Sequence, residues 1–155
     1  FSTVNIREII DEILSSIQFV DNFNQVKKTI TIHDNISEIV TEKGLLKTIL
    51  FNLIDNGIKY YNPKAEQPVL NVDIKATADG ISIIVEDNGQ GIQKEFQPNI
   101  FKMFYRANYV SKGSGLGLYI VKTSVAKLAG TILFESEHLK GCRFEISIPC
   151  KIVTR

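Results

Sequence analysis

Cysteine is scarce in this chain, its charges nearly cancel, and it has no long apolar run. The two cysteines, Cys142 and Cys150, show neither Cys-x-x-Cys spacing nor a neighbouring histidine pair, which argues against zinc or redox chemistry and for two reduced thiols. A net charge of +1 creates no whole-chain field to draw in nucleic acid or an anionic membrane, so any anion must be held by a local site. The apolar runs are too short to cross a bilayer, and no signal peptide is visible. What is present suits one folded domain: 155 residues, 44% hydrophobic and 23% charged, enough to bury roughly 68–70% of the surface the unfolded form exposes. The first residue is Phe1 rather than methionine, so we expect a piece of a longer protein.

Periodicity places the elements. Ile6, Ile9, Ile10, Ile13, Leu14 and Ile17 recur at helical spacing, and Asn5 three residues before Glu8 has the form of a capping box. Thr29-Ile30-Thr31-Ile32-His33 alternates and is rich in β-branched residues, the pattern of a short edge strand. A second helix is expected from about Lys43 to Tyr60 and a third from Leu116 to Leu128. Leu70, Val72, Ile74 and Ala76 alternate with Asn71, Asp73 and Lys75, and Ala78-Asp79-Gly80 turns the chain into Ile81 to Val85, a hairpin with one buried face. Thr131 to Ser136, a turn through Gly141, and Cys142 to Ile148 repeat that logic, with Pro149 closing the strand. From Gly91 to Lys112 no period survives, and a segment of that length points to a functional loop or lid. Together these predict an α+β fold: a two-layer α/β sandwich with three long helices on one face of a mixed, mostly antiparallel sheet of about five strands.

Three stretches carry chemistry. On the second helix Leu46, Ile49, Leu50, Leu53 and Gly57 form the buried stripe, while Asn52, Asn56 and Lys59 share one rim. Asparagine disfavours helix interiors because its amide competes for the backbone, so two on one rim invite a reason: a solvated face, or amide oxygens for a hard cation such as magnesium. Asp87-Asn88-Gly89-Gln90-Gly91-Ile92 directly follows a strand and reads as a turn, yet no partner strand follows at once. Gly113-Ser114-Gly115-Leu116-Gly117-Leu118 precedes an apolar helix. It is either a flexible connector or a phosphate site, where free N–H groups and the helix dipole attract the anion and glycine removes blocking side chains. It is not a Walker loop, since no Gly-Lys-Ser/Thr follows, nor a Rossmann fingerprint, since its glycines are spaced Gly-x-Gly-x-Gly. Between the clusters lies Ile100-Phe101-Lys102-Met103-Phe104-Tyr105-Arg106. Phe101 and Phe104 suit lid anchoring, whereas Arg106 supplies a guanidinium, a group worth roughly 10³–10⁵ in rate where it stabilises a phosphoryl group in transfer.

In order and spacing these motifs, from about Val4 to Pro149, resemble the ATP-binding domain of sensor histidine kinases, within the superfamily of gyrase, heat-shock chaperone, histidine kinase and mismatch-repair ATPases. The resemblance implies ATP and Mg²⁺ as cofactors, with Asn56 the metal ligand and Asn52 and Arg106 the catalytic pair. It implies that Asp87 accepts from the adenine amino group, that Lys59 neutralises phosphate, and that Tyr60 packs on the nucleotide. Gly89, Gly91 and Ile92 would border the base, and Gly113, Ser114, Gly115, Leu116, Gly117 and Leu118 the phosphates. In hydrolytic relatives a glutamate stands at the position of Asn52; an amide cannot accept that proton, which favours transfer over hydrolysis. Gly57, Asn62-Pro63 and a short lid from Ala107 to Lys112 depart from the usual pattern.

The implied function is transfer of the γ-phosphoryl group to a histidine on a separate dimerisation domain, from which it passes to a response regulator. Neither His33 nor His138 lies in the helical context of such an acceptor, so the acceptor is expected outside this chain. The expected setting is cytoplasmic, with no nucleic acid or direct membrane contact by this domain and with membrane anchoring of the parent left open. An anti-sigma-type serine kinase, a nucleotide-binding scaffold without transfer activity, and a gyrase-like clamp are the rival readings.

Overall fold

The computed structural model describes residues 1–105 and 115–154. Its elements, in order, are β1 (Ser2–Asn5), α1 (Ile6–Ile17), β2 (Lys27–Ile32), β3 (Ile36–Thr41), α2 (Lys43–Lys59), β4 (Val69–Ala76), β5 (Gly80–Asp87), α3 (Gly117–Lys127), β6 (Thr131–Glu137), β7 (Gly141–Pro149) and β8 (Lys151–Thr154), with a short 3-10 helix at Lys94–Asn99. The caps follow from residue type. Asn5 accepts the Glu8 N–H at 3.0 Å and starts α1. The Glu42 carboxylate accepts the N–H groups of Gly44 and Leu45 at the start of α2, satisfying two otherwise orphaned donors.

The strands form a five-stranded sheet in the order β2-β4-β5-β7-β6. All its pairings are antiparallel except β2 with β4. The expected edge strand is therefore an edge strand, but joined in parallel. Leu70, Val72 and Ile74 of β4, Ile81, Ile83 and Val85 of β5, and Ile146 and Ile148 of β7 turn to one face. There they share a single core with Ile9, Ile10 and Ile13 of α1, Ile49, Leu50 and Leu53 of α2, and Val121 and Val125 of α3. Helix α2 lies between α1 and α3 and touches β4 and β5. At Gly57 α2 packs closely on the sheet, since a Cβ there would stand 2.5 Å from the Leu70 side chain.

The sandwich and its mixed sheet agree with expectation; the strand inventory needs correcting. A second sheet, β1-β3-β8, is antiparallel throughout and was not foreseen. Its outer strands have four residues each and come from opposite ends of the chain. Strands that short carry little periodicity, and their pairing is set by distant contacts. His33, expected at the surface, is half-exposed and its Nε2 lies 3.0 Å from Asp73 Oδ1.

Candidate nucleotide-binding site

The loop after β5 is held from two sides. On one side α2 ends at Tyr60, whose carbonyl accepts the Gln90 N–H at 3.0 Å, while the Gln90 side chain donates to the Tyr61 carbonyl at 3.2 Å. On the other, the β6–β7 turn reaches it through Leu139 N–H to Gln90 C=O, 2.6 Å, and Ser136 Oγ, which accepts the Ile92 N–H at 2.8 Å. Asn88 bridges back to β4, accepting the Val69 N–H at 2.8 Å and donating to the Gln67 carbonyl at 2.9 Å. Tight packing against protein backbone accounts for both glycines of the loop. A Cβ on Gly89 would lie 2.6 Å from the Tyr60 carbonyl oxygen, and one on Gly91, at φ +66°, would overlap the Glu137 carbonyl.

Asp87 closes β5 and accepts the Gly89 N–H at 2.8 Å. Burial pushes its carboxyl up from 3.8 to about 6, and Glu86 adds to the rise, against the opposing pull of the Gly89 and Cys142 N–H groups. Its register partner Cys142 is a free thiol pushed up to about 12 by burial and by the neighbouring Asp87, with Ser136 Oγ 3.3 Å from its sulfur. So high a value leaves it protonated and unreactive at neutral pH.

The other half of the site lies where α2 meets the start of α3. Asn52 donates from Nδ2 to the Thr48 carbonyl at 2.8 Å, which turns its Oδ1 away from its own helix. That oxygen lies 3.2 Å, and Asn56 Oδ1 4.0 Å, from where a Cβ on Gly117 would stand. Two amide oxygens thus face the first residue of α3, a helix whose first turn has no side-chain cap. Hard oxygen donors beside the N–H groups and positive dipole end of a helix have the chemistry for a magnesium–phosphate pair, so these residues fit both implied cofactors. Lys59, one turn along, makes an ion pair with Asp55 at 3.3 Å, with both side chains mostly buried.

The remaining expected site residues divide. Gly115, at φ +75°, sits against the Phe104 backbone and accepts its N–H at 2.9 Å. Leu118 packs on the edge of the core. Leu116 is the residue immediately before α3. Tyr60 meets the loop through its carbonyl. Arg106, Gly113 and Ser114 lie outside the described residues. Of the two expected anchors, Phe101 packs edge-on against Phe134 and Phe144, with centroids 6.2 and 6.4 Å away. Phe104 is 66% exposed at φ +63° and is not part of the hydrophobic core among the described residues.

Asp55, Ser136, Gln97 and Gly141 were not expected here. Only Asp55 had a local signal, an acid four residues before Lys59. A depression of about 450 Å³ is lined by Asp87, Asn88, Ser136 and Cys142 on one side and extends over Asn71, Glu86, Arg143 and Glu135, which form one row across the polar face of the sheet. No residue of α2 or α3 lines it, so it lies apart from the paired asparagines. No helix among the described residues is long and apolar enough to cross a membrane.

Comparison with known proteins identifies the family. The profile of the histidine kinase-, DNA gyrase B- and HSP90-like ATPases matches residues 41–152. The chain is 38% identical over 115 residues to the sensor protein RprX of Bacteroides fragilis, covering 72% of this chain and 22% of that protein. It is 29% identical over 153 residues to the sensor histidine kinase CpxA of Escherichia coli, covering 95% of this chain and 32% of CpxA. The chain thus spans between 15% and 32% of the length of these and other curated relatives. The mycobacterial sensor histidine kinase MprB has the same fold, with TM-score 0.80 and 23% identity over 98% of this chain and 99% of that one. So does full-length ShkA, solved with AMPPNP, with TM-score 0.82 and 21% identity over 99% of this chain and 32% of ShkA. The chain belongs to the histidine kinase-, DNA gyrase B- and HSP90-like ATPases, as a catalytic ATP-binding domain of the sensor histidine kinase type.

Proposed function

We propose that this domain binds Mg-ATP between α2, α3 and the loop after β5, and donates the γ-phosphoryl group to a histidine on a separate dimerisation domain of its parent. A response regulator then receives the phosphate. The observation that carries the reading is the pair of Asn52 and Asn56 amide oxygens facing Gly117 at the start of α3. In this reading Asn56 Oδ1 is a magnesium ligand, the first turn of α3 receives phosphate oxygens, and Asp87 accepts from the adenine amino group. The bound magnesium would supply charge neutralisation between phosphates. The residues supply position and fixed dipoles, which is most of what phosphoryl transfer demands of a protein. Asn52 offers no base to activate water, so the site favours a protein nucleophile over hydrolysis.

Asn56→Ala tests the reading by calorimetric titration of ATP with and without magnesium. The expected result is a loss of about tenfold or more in Mg-ATP affinity, ~1.4 kcal/mol, with magnesium-free binding almost unchanged. Equal loss in both conditions, or none, would remove Asn56 as the ligand. Transfer is then read by supplying a histidine-bearing dimerisation domain and following the label from γ-labelled ATP.

Asp55 adds a second expectation at the same site. Its carboxylate already engages Lys59 at 3.3 Å, so incoming phosphate must share that ammonium and approach a like charge. Asp55→Asn is expected to tighten magnesium-free ATP binding by about threefold, on the order of 0.6 kcal/mol, and Mg-ATP binding by less, because the cation screens the repulsion. Titrations of both forms under both conditions check this, and weaker magnesium-free binding by the variant would contradict it.

A further inference from the structure

The hydroxyl of Ser136 sits at a junction that nothing in the implied nucleotide chemistry uses. A serine hydroxyl has one donor and two acceptor sites, and here each has a partner. Ser136 Oγ donates to the Gly141 carbonyl at 2.8 Å, accepts the Ile92 N–H at 2.8 Å, and lies 3.3 Å from the Cys142 thiol, a weak donor. The side-chain amide of Gln97 completes the junction, donating to the carbonyls of Ile92 at 2.9 Å and Ser136 at 3.0 Å. Four chain segments meet at one residue, the base-side loop, β6 and β7 at its hydroxyl and the 3-10 helix at its carbonyl.

The carbonyl that Ser136 grips belongs to the peptide group joining Gly141 to Cys142. The N–H at the other end of that group is one of the two that favour charge on Asp87. Register pairs Asp87 with Cys142, and Gly141 lies so close that a Cβ on it would overlap the Asp87 carbonyl. A peptide polarised at its oxygen is a better donor at its nitrogen, because hydrogen bonds in series reinforce one another in low dielectric. We propose that Ser136 is a positioning residue for Asp87, acting through the Gly141–Cys142 peptide to orient the carboxylate for its ligand. The inference rests on the reading that Asp87 receives the adenine amino group.

The groups that bear on Asp87 are few. Glu86 acts on it from β5, and the Cys142 thiol lies beside it on β7. Other nearby charges are Arg143, paired with Glu86 at 3.3 Å, Lys140, paired with Glu137 at 3.3 Å, Lys59, paired with Asp55 at 3.3 Å, and Glu135, which lines the same depression as Asp87. Loss of the Ser136 hydroxyl weakens one of the two N–H donors that oppose desolvation, so the carboxyl of Asp87 moves further up. ATP binding, which needs the carboxylate, then fails at a higher pH.

The test is ATP affinity of the 155-residue chain from pH 5 to 8 for wild type, Ser136→Ala, Ser136→Cys and Asp87→Asn, with urea unfolding to verify the fold of each. Ser136→Ala is expected to bind ATP about fivefold more weakly at pH 7.5 and to move the acid midpoint of binding upward by about half a pH unit. Ser136→Cys, nearly isosteric with a poorer donor, is expected to fall between wild type and Ser136→Ala, and it carries the test if the alanine variant does not fold. A Ser136 variant that folds and binds with the wild-type affinity and midpoint overturns the proposal. A merely structural serine would lower the unfolding midpoint and leave the pH profile in place. Asp87→Asn separates the two readings: if it leaves affinity and pH profile intact, the assignment of Asp87 to adenine fails, independently of the behaviour of Ser136.

Discussion

Asp87→Asn is expected to weaken ATP binding by tenfold or more while making the nucleotide-free chain more stable. The two effects share one cause. The carboxyl is raised from 3.8 to about 6, chiefly by burial, so holding it charged at pH 7 costs on the order of 3 kcal/mol of folding free energy. The sign follows from proton counting. Between pH 3.8 and about 6 the folded chain holds a proton that the unfolded chain has released, so stability falls as pH rises through that window and the full penalty persists above it. Asparagine removes the charge and retains an oxygen for the Gly89 N–H, though as a weaker acceptor, so a net gain of about 1–2 kcal/mol is expected at pH 7. Urea unfolding at pH 7 and pH 4 checks it: the advantage should be present at the first and largely gone at the second. A variant no more stable than wild type at pH 7 would refute the account. The functional loss follows because a hydrogen bond to a charged group is worth roughly 1.5–3 kcal/mol, and an amide cannot supply the charge. On this view the site carries a destabilising carboxylate that bound nucleotide offsets.

Gly141→Ala is expected to have the largest effect on stability of any single glycine change at the site, a loss of about 3 kcal/mol or more. Its φ of +116° lies in a region that L side chains rarely adopt, and such strain costs roughly 1–3 kcal/mol by itself. The added methyl would also fall on the Asp87 carbonyl, rigid backbone on the neighbouring central strand, so neither side can yield without opening the β5–β7 pairing. Denaturant unfolding gives the magnitude, and a variant that keeps wild-type stability would show the turn to be more plastic than this packing allows. ATP binding should fall with it, since the peptide displaced is the one that faces Asp87.

Features written in local pattern were legible without coordinates. The Asn5 cap and isoleucine spacing of α1, the buried stripe of α2, the β4–β5 hairpin around residues 78–80 and the β6–β7 hairpin all emerge where periodicity placed them. Each depends on contacts within a turn of helix or across one short loop, and residue type alone sets those energies. The polar rim of Asn52, Asn56 and Lys59 was legible for the same reason, because helical spacing fixes which side chains are neighbours.

What needed the folded chain is everything that depends on distant segments meeting. The parallel joining of β2 to β4, the sheet of β1, β3 and β8, and the meeting of the α2 asparagines with Gly117 of α3 have no local signature. The glycines show the difference most clearly. The resemblance set Gly89 and Gly91 at the border of the base; packing adds that they make room for the Tyr60 and Glu137 carbonyls. Ser136 reads in sequence as one polar residue near the end of a strand. It becomes a junction only because β6, β7 and the loop after β5 converge on it, and hydrogen bonds are decided by the atoms that arrive within reach.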